Sequence, residues 1–219
     1  MLIILQGRLN SSRLPGKGLF NLFGQTIFER MCDIASEIKC AKKIVFATGD
    51  NPKNEILVEL LKNKNVNIFF GKEDNVLDRF YQISMNENEE YITRITCDNY
   101  LAQPFFIEEL FELIQKTHAD YAFIEPLSHY SGEIFTKTAL KEIYESKGFS
   151  KESIEHVTYD FRNSNKFKVA SFPKDFYEVD HSSSVTLDTL DDLIFMQKIQ
   201  KEMPQFRKIR SHNLLRKLK

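Results

Sequence analysis

The sequence predicts an α/β protein: a mostly parallel sheet with helices on both faces. Two observations carry this. Short apolar runs rich in β-branched and aromatic residues recur along the 219 residues. Stretches with apolar residues at steps of three and four separate them, as in helices with one buried face. Ile3–Leu5 opens the series as a strand. Residues 25–38 follow as a helix, with Ile27, Met31, Ile34 and Ile38 on one side. Residues 44–47 make the next strand. Residues 52–62 form a helix with Pro52 in its first turn and Ile56, Leu57, Leu60 and Leu61 buried. A strand at 66–70 is followed by the helical face Val76, Phe80 and Ile83, then by a strand from Tyr91 that ends at Asp98. Pro104 begins a helix over 104–116, with Ile107, Leu110, Phe111 and Ile114 inward, and 121–124 is again a strand. Beyond residue 125 the alternation loosens. Residues 132–135 and 168–172 read as strands, and 137–146, 152–162 and 189–203 as helices. No linker-like or repetitive stretch interrupts the chain, so one domain over 1–219 is expected.

Composition narrows the function classes. Thirty basic against 31 acidic residues give a net charge of −1, which argues against a dedicated nucleic-acid binder. No apolar run approaches the roughly 18 residues of a membrane span. The start, MLIILQGR, lacks the basic head and long apolar centre of a signal peptide and reads as a buried strand. Cys32, Cys40 and Cys97 are odd in number and lack metal-ligand spacing, which fits small core residues in a reducing cytoplasm. The charge is uneven: residues 201–219 carry seven basic side chains against Glu202, so the end is strongly cationic. The tail at about 204–219 is expected to be a solvated basic end. The alternative is contact with an acidic partner or a membrane surface.

The residues that suggest chemistry follow the first strand: Gln6-Gly7-Arg8-Leu9-Asn10-Ser11-Ser12-Arg13-Leu14-Pro15-Gly16-Lys17. The stretch has three cations, no anion, two serines and two glycines. Small residues let backbone amides approach a ligand, and amides with cations suit a polyphosphate. A solvated basic loop is the plainer reading. A nucleotide P-loop is excluded, because Ser11 stands where its first glycine belongs and Gly18 follows the lysine. Asp98, at the end of its strand, lies at the carboxyl edge where α/β sheets bind ligands, and a carboxylate there suits Mg²⁺. It is equally readable as a turn residue before Pro104. Asp188, after the alternating Val185-Thr186-Leu187, reads as a helix cap, with Asp191 and Asp192 as first-turn acids. Arg79 alone reads as a solvated helix residue, and His156 as a structural histidine.

The segment QGRLNSSRLPGKGL resembles the phosphate-binding signature of the cytidylyltransferases that activate 3-deoxy-manno-octulosonate, and more closely that of the related SpsF group of spore-coat polysaccharide synthesis. GKEDNVLDRFYQ, YITRITCDNYLAQP, SGEIFTKTAL, IEHVT and VTLDTLDDL resemble later blocks of that group in the same order. The resemblance implies a GT-A-like, Rossmann-type mixed sheet and a Mg²⁺-dependent nucleotidyltransferase. Such an enzyme would move CMP from CTP, or a nucleotidyl group from another triphosphate, to a sugar acid or phosphorylated sugar in surface-polysaccharide synthesis, releasing pyrophosphate. It implies that Gln6, Gly7, Arg8, Ser11, Ser12, Arg13, Lys17 and Arg79 bind the nucleotide, with Arg8, Arg13, Lys17 and Asp98 catalytic. It places Mg²⁺ on Asp98 and Asp188, the acceptor near Arg94 and His156, and a homodimer contact within 126–160. The chain departs from the group at Asn10, Cys97, Tyr100, Gln103 and Ser184, and its 129–132 loop is short. These changes are expected to cluster where the acceptor is recognised, and so to alter acceptor choice. A low-activity nucleotide-binding partner subunit is the other reading of them.

Overall fold

The structure is a computed structural model and describes residues 1–22, 24–125, 128–146, 150–172 and 186–202. The predicted basic tail and Ser184 lie outside the described residues. Leu2–Gln6 forms β1, and its parallel neighbours are Lys43–Gly49 (β4) and Tyr91–Thr96 (β6). Between β1 and β4 come a small hairpin, Asn21–Leu22 (β2) with Gln25–Thr26 (β3), and the helix Ile27–Ser36 (α1). Asn67–Gly71 (β5) pairs with β4. Tyr121–Ile124 (β7), Glu133–Thr136 (β8) and Val169–Phe172 (β9) complete a seven-stranded sheet of order β5-β4-β1-β6-β8-β7-β9. β8 runs antiparallel to both β6 and β7, and every other pairing is parallel.

Both faces of the sheet are covered, which is why its strands read as continuous apolar runs rather than alternating ones. Ile3, Leu5 and Phe46 pack against α1 and against Pro104–Thr117 (α4). Leu2, Ile4 and Val45 face the other way, against Val76–Met85 (α3) and Lys137–Glu145 (α6). Local signals start the helices. Thr26 and Glu29 form a reciprocal capping box on α1, and Asn75 accepts from the Asp78 N–H at 2.9 Å to open α3.

Some elements differ from the reading of the sequence. Residues 52–62 split into a 3₁₀ turn, Pro52–Glu55, and a short helix, Ile56–Leu60 (α2). Leu57 and Leu61 are buried, but Ile56 is exposed, because the tighter turn rotates it off the core face. The helix expected over 152–162 is two pieces, Lys151–Glu155 (α7) and Tyr159–Asn163 (α8), broken where His156 takes φ −108° and ψ 71°. β6 ends at Thr96, and Asp98 sits in the following turn, closed by Asn99 N–H on the Thr96 carbonyl at 3.0 Å. Ser128–Ser131 (α5) and the β2–β3 hairpin carried no period long enough to be read. The last described helix is Leu190–Glu202 (α9).

The path of the chain places the site. From β1 it moves outward to β4 and β5, then returns to β6 on the opposite side of β1. The connections therefore diverge at the carboxyl ends of β1 and β6, where open α/β sheets take ligands.

Candidate active site

Two adjoining hollows lie at that edge, one of about 190 Å³ and one of about 690 Å³. Gln6, Arg13, Thr96, Asp98, Glu155 and Asp188 line both. The smaller is walled by the 7–17 loop and by Arg79. The larger opens toward β8 and the α7–α8 break.

The loop is held from several sides. The Gly16 N–H donates to the Leu9 carbonyl at 2.9 Å, closing the turn, and Gly16 itself has φ +71°, which glycine adopts without strain. Lys17 begins a one-turn 3₁₀ helix packed on α1. A Cβ at Gly18 would lie 2.1 Å from the Phe28 ring, so only glycine allows this approach. The buried Asn54 anchors the other end. Its Oδ1 accepts from the Leu9 N–H at 3.0 Å, and its Nδ2 donates to the Gly49 carbonyl at 2.9 Å.

All the candidate residues taken from the sequence line one or both hollows. Gln6, Gly7, Arg8, Ser11, Ser12, Arg13, Lys17, Arg79, Asp98 and Asp188 border the smaller one, and Arg94 and His156 border the larger. Arg79 is not the solvated helix residue that its position suggests. It is buried, and its guanidinium donates to the Lys72 and Glu73 carbonyls. Burial lowers its pKa from the ordinary arginine value, with Glu73 opposing. Arg8 lies 3.5 Å from Glu73. The departures from the family pattern at Tyr100 and Gln103 do not face the larger hollow, contrary to expectation. Both are buried. The Tyr100 hydroxyl donates to the Leu22 carbonyl, with Arg30 over its ring, and Gln103 donates to the Leu101 carbonyl. These two changes concern packing.

The cation cluster meets the acids directly. Lys17 Nζ donates to Asp98 Oδ2 at 3.0 Å, Asp188 Oδ1 at 2.9 Å and the Leu187 carbonyl at 2.8 Å. Arg13 reaches the same Asp188 oxygen at 2.9 Å. Burial pushes the Asp188 carboxyl up, but Lys17 and Arg13 outweigh it and hold the group below its ordinary value. Asp98 and Asp188 thus converge on a point already occupied by a cationic atom. Hard carboxylate oxygens in that arrangement fit Mg²⁺, which commonly binds through one or two carboxylates plus substrate phosphates. Among the described residues no cluster of three or more His, Cys, Asp or Glu side chains could hold a metal alone.

The sequence reading missed the floor of the larger hollow. Glu133 is 4% exposed and accepts from Arg94 Nη1 at 2.7 Å, the Tyr121 hydroxyl at 2.6 Å, Thr158 Oγ1 at 3.0 Å and Arg162. Arg94 also donates through Nε to Gln6 Oε1 at 2.9 Å, linking this floor to the end of β1. Burial alone would raise the Glu133 pKa, but the two arginines and Tyr121 hold it below the ordinary value. A signal was present: a glutamate inside the apolar run Gly132-Glu133-Ile134-Phe135 must be paired if the strand is buried. Asn54 gave no such signal.

Comparison with known proteins shows the fold and the family. SpsF of Bacillus subtilis, a spore coat polysaccharide biosynthesis protein, is 31% identical over 173 residues, covering 74% of this chain and 70% of the relative. A cytidylyltransferase structure from Leptospira borgpetersenii superposes with a TM-score of 0.87 at 22% identity, covering 99% of this chain and 92% of that one. The structure of CMP:2-keto-3-deoxy-manno-octonic acid synthetase complexed with CTP superposes with a TM-score of 0.69 at 14% identity, covering 93% and 98% of the two chains. The profile of the cytidylyltransferase family matches residues 2–212, and the chain belongs to that family.

Proposed function

We propose that the chain transfers CMP from CTP to a sugar acid or phosphorylated sugar, releasing pyrophosphate, in the synthesis of surface-polysaccharide precursors. One observation carries the assignment of roles: the cationic 7–17 loop and the Asp98–Asp188 pair face each other in one hollow, and a larger hollow adjoins it. The CTP complex of the octonic acid synthetase and the polysaccharide role in the SpsF name support the choice of donor and pathway class.

In this reading the acceptor oxygen attacks the α-phosphorus in line, the α–β anhydride bond breaks and pyrophosphate leaves. Arg8, Arg13, Lys17 and the Ser11 and Ser12 amides bind the β- and γ-phosphates and stabilise the charge of the leaving group. Gly7 lets the backbone come close to the nucleotide. Gln6 and Arg79 complete the wall beside it. Arg94 and His156 face the acceptor. A divalent ion held by Asp98 and Asp188, Mg²⁺ by preference, would screen the α-phosphate. Positioning and electrostatics supply most of the rate in such transfers, so loss of one charge-bearing group costs on the order of 10³-fold. Pairing of two copies through residues 126–160 belongs to the same reading and is measurable by sedimentation velocity.

The test is pyrophosphate release from CTP with Mg²⁺ across a panel of sugar acids and sugar phosphates, for wild type and Asp98→Ala. Release with one acceptor, lost in Asp98→Ala, is expected. Near wild-type turnover in Asp98→Ala would overturn the roles. Binding of CTP with no release across the panel would favour a low-activity partner subunit.

A further inference from the structure

The contacts of Lys17 give it a second role beside the binding of phosphates. An ammonium has three N–H donors. Those of Lys17 have three acceptors within 3.0 Å: Asp98 Oδ2, Asp188 Oδ1 and the Leu187 carbonyl. Arg13 adds a second cation on Asp188. Two carboxylates face two cations, so the cluster is neutral as it stands. Lys17 is the shielded member, with 14% of its side chain exposed, whereas the Arg13 side chain is 65% exposed. A divalent ion held by the same two carboxylates would meet the ammonium as a like charge. Incoming phosphates act in the opposite sense, because they offer the ammonium and the guanidinium alternative acceptors.

We propose that Lys17 is the exchangeable counter-ion of the Asp98–Asp188 pair: it holds the metal position until nucleotide phosphates draw it away, so that the divalent ion and the nucleotide are admitted together. This rests on the nucleotide site proposed above. A lysine that merely ties the loop to the sheet would also repel the ion in the absence of nucleotide, but would not give way to it when CTP binds.

The experiment titrates Mn²⁺ into the full chain and follows free ion by electron paramagnetic resonance, with and without CTP. Without nucleotide, Lys17→Met is expected to bind Mn²⁺ about ten- to a hundredfold tighter than wild type, the worth of a hydrogen bond to a charged group. Asp98→Asn in the Lys17→Met background removes the gain and so locates it. With CTP the order reverses, with wild type tighter than Lys17→Met. Should Lys17→Met fail to fold, Arg13→Ala weakens the cationic screen on Asp188 and gives a smaller gain in the same direction. Mn²⁺ affinity without nucleotide that is the same in wild type and the variants overturns the proposal. If the gain appears and CTP binds by calorimetry but fails to retain Mn²⁺ on wild type, the exchange is overturned while the nucleotide site stands; if CTP does not bind at all, the nucleotide-site reading falls.

Discussion

Asn54 never touches the hollows, yet its replacement by alanine should reach both stability and nucleotide binding. The side chain joins two backbones: it accepts from the Leu9 N–H at 3.0 Å and donates to the Gly49 carbonyl at 2.9 Å. Alanine leaves both groups buried without these partners, and each such loss costs about 1–3 kcal/mol. Relaxation of the loop around the shortened side chain lowers the sum, so a loss of about 2–4 kcal/mol is expected. For a chain of this size each kcal/mol moves the melting temperature by about 2–4 °C. The variant should therefore melt roughly 5–15 °C lower. Freeing one or two loop residues costs about 1–2 kcal/mol each when CTP orders them again, a weakening of about tenfold or more. Calorimetric melting and titration with CTP measure both quantities. A melting temperature within about 1 °C of wild type together with unchanged CTP affinity would refute the anchoring role.

Other predictions follow from the buried groups. Glu133→Ala leaves Arg94 and Arg162 without their shared carboxylate and should destabilise the fold by about 3–5 kcal/mol, read by urea unfolding. The Glu133 pKa is lowered in the fold, so its contribution is complete above the ordinary value of 4.5 and is lost as pH falls through the lower folded value. The wild type should accordingly lose stability below about pH 4.5, and Glu133→Gln should flatten that limb. Burial pushes the Cys32 thiol up to about 12 and raises Cys97 well above its usual value, so a thiol reagent at pH 8 should label Cys40 first. Denaturant should release the other two. Gly18→Ala drives a methyl into the Phe28 ring and should lower stability by about 1–3 kcal/mol, with weaker CTP binding because Lys17 moves with its turn.

Much of this protein was legible in its sequence because strand and helix periods are written into the apolar positions. The β1, β4, β5 and β6 runs and the α1 and α4 faces are of that kind. The cations and small residues of the 7–17 loop were also readable at the end of β1, whereas Asp98 and Asp188 were singled out by resemblance, and the structure brings both to Lys17. What failed has physical causes. Ile56 follows the helical period but sits after a 3₁₀ turn, which shifts its angle. The break at His156 depends on a tertiary position that no local residue announces. Tyr100 and Gln103 differ from the family pattern, but whether they face the hollow or the core is set by the turn after β6. Asn54 and Glu133 act across 45 and 39 residues of chain, on Leu9 and Arg94, and only the folded sheet brings those partners together.

In the proposed function the 7–17 loop and the two aspartates hold a cytidine triphosphate. Calorimetric titration with CTP, UTP, GTP and ATP in the presence of Mg²⁺ tests it without knowledge of the acceptor. CTP should bind tightest, and Arg8→Ala should weaken it by about tenfold or more, the worth of a hydrogen bond to a charged group. Tighter binding of a purine triphosphate, or no heat from any of the four, would contradict it.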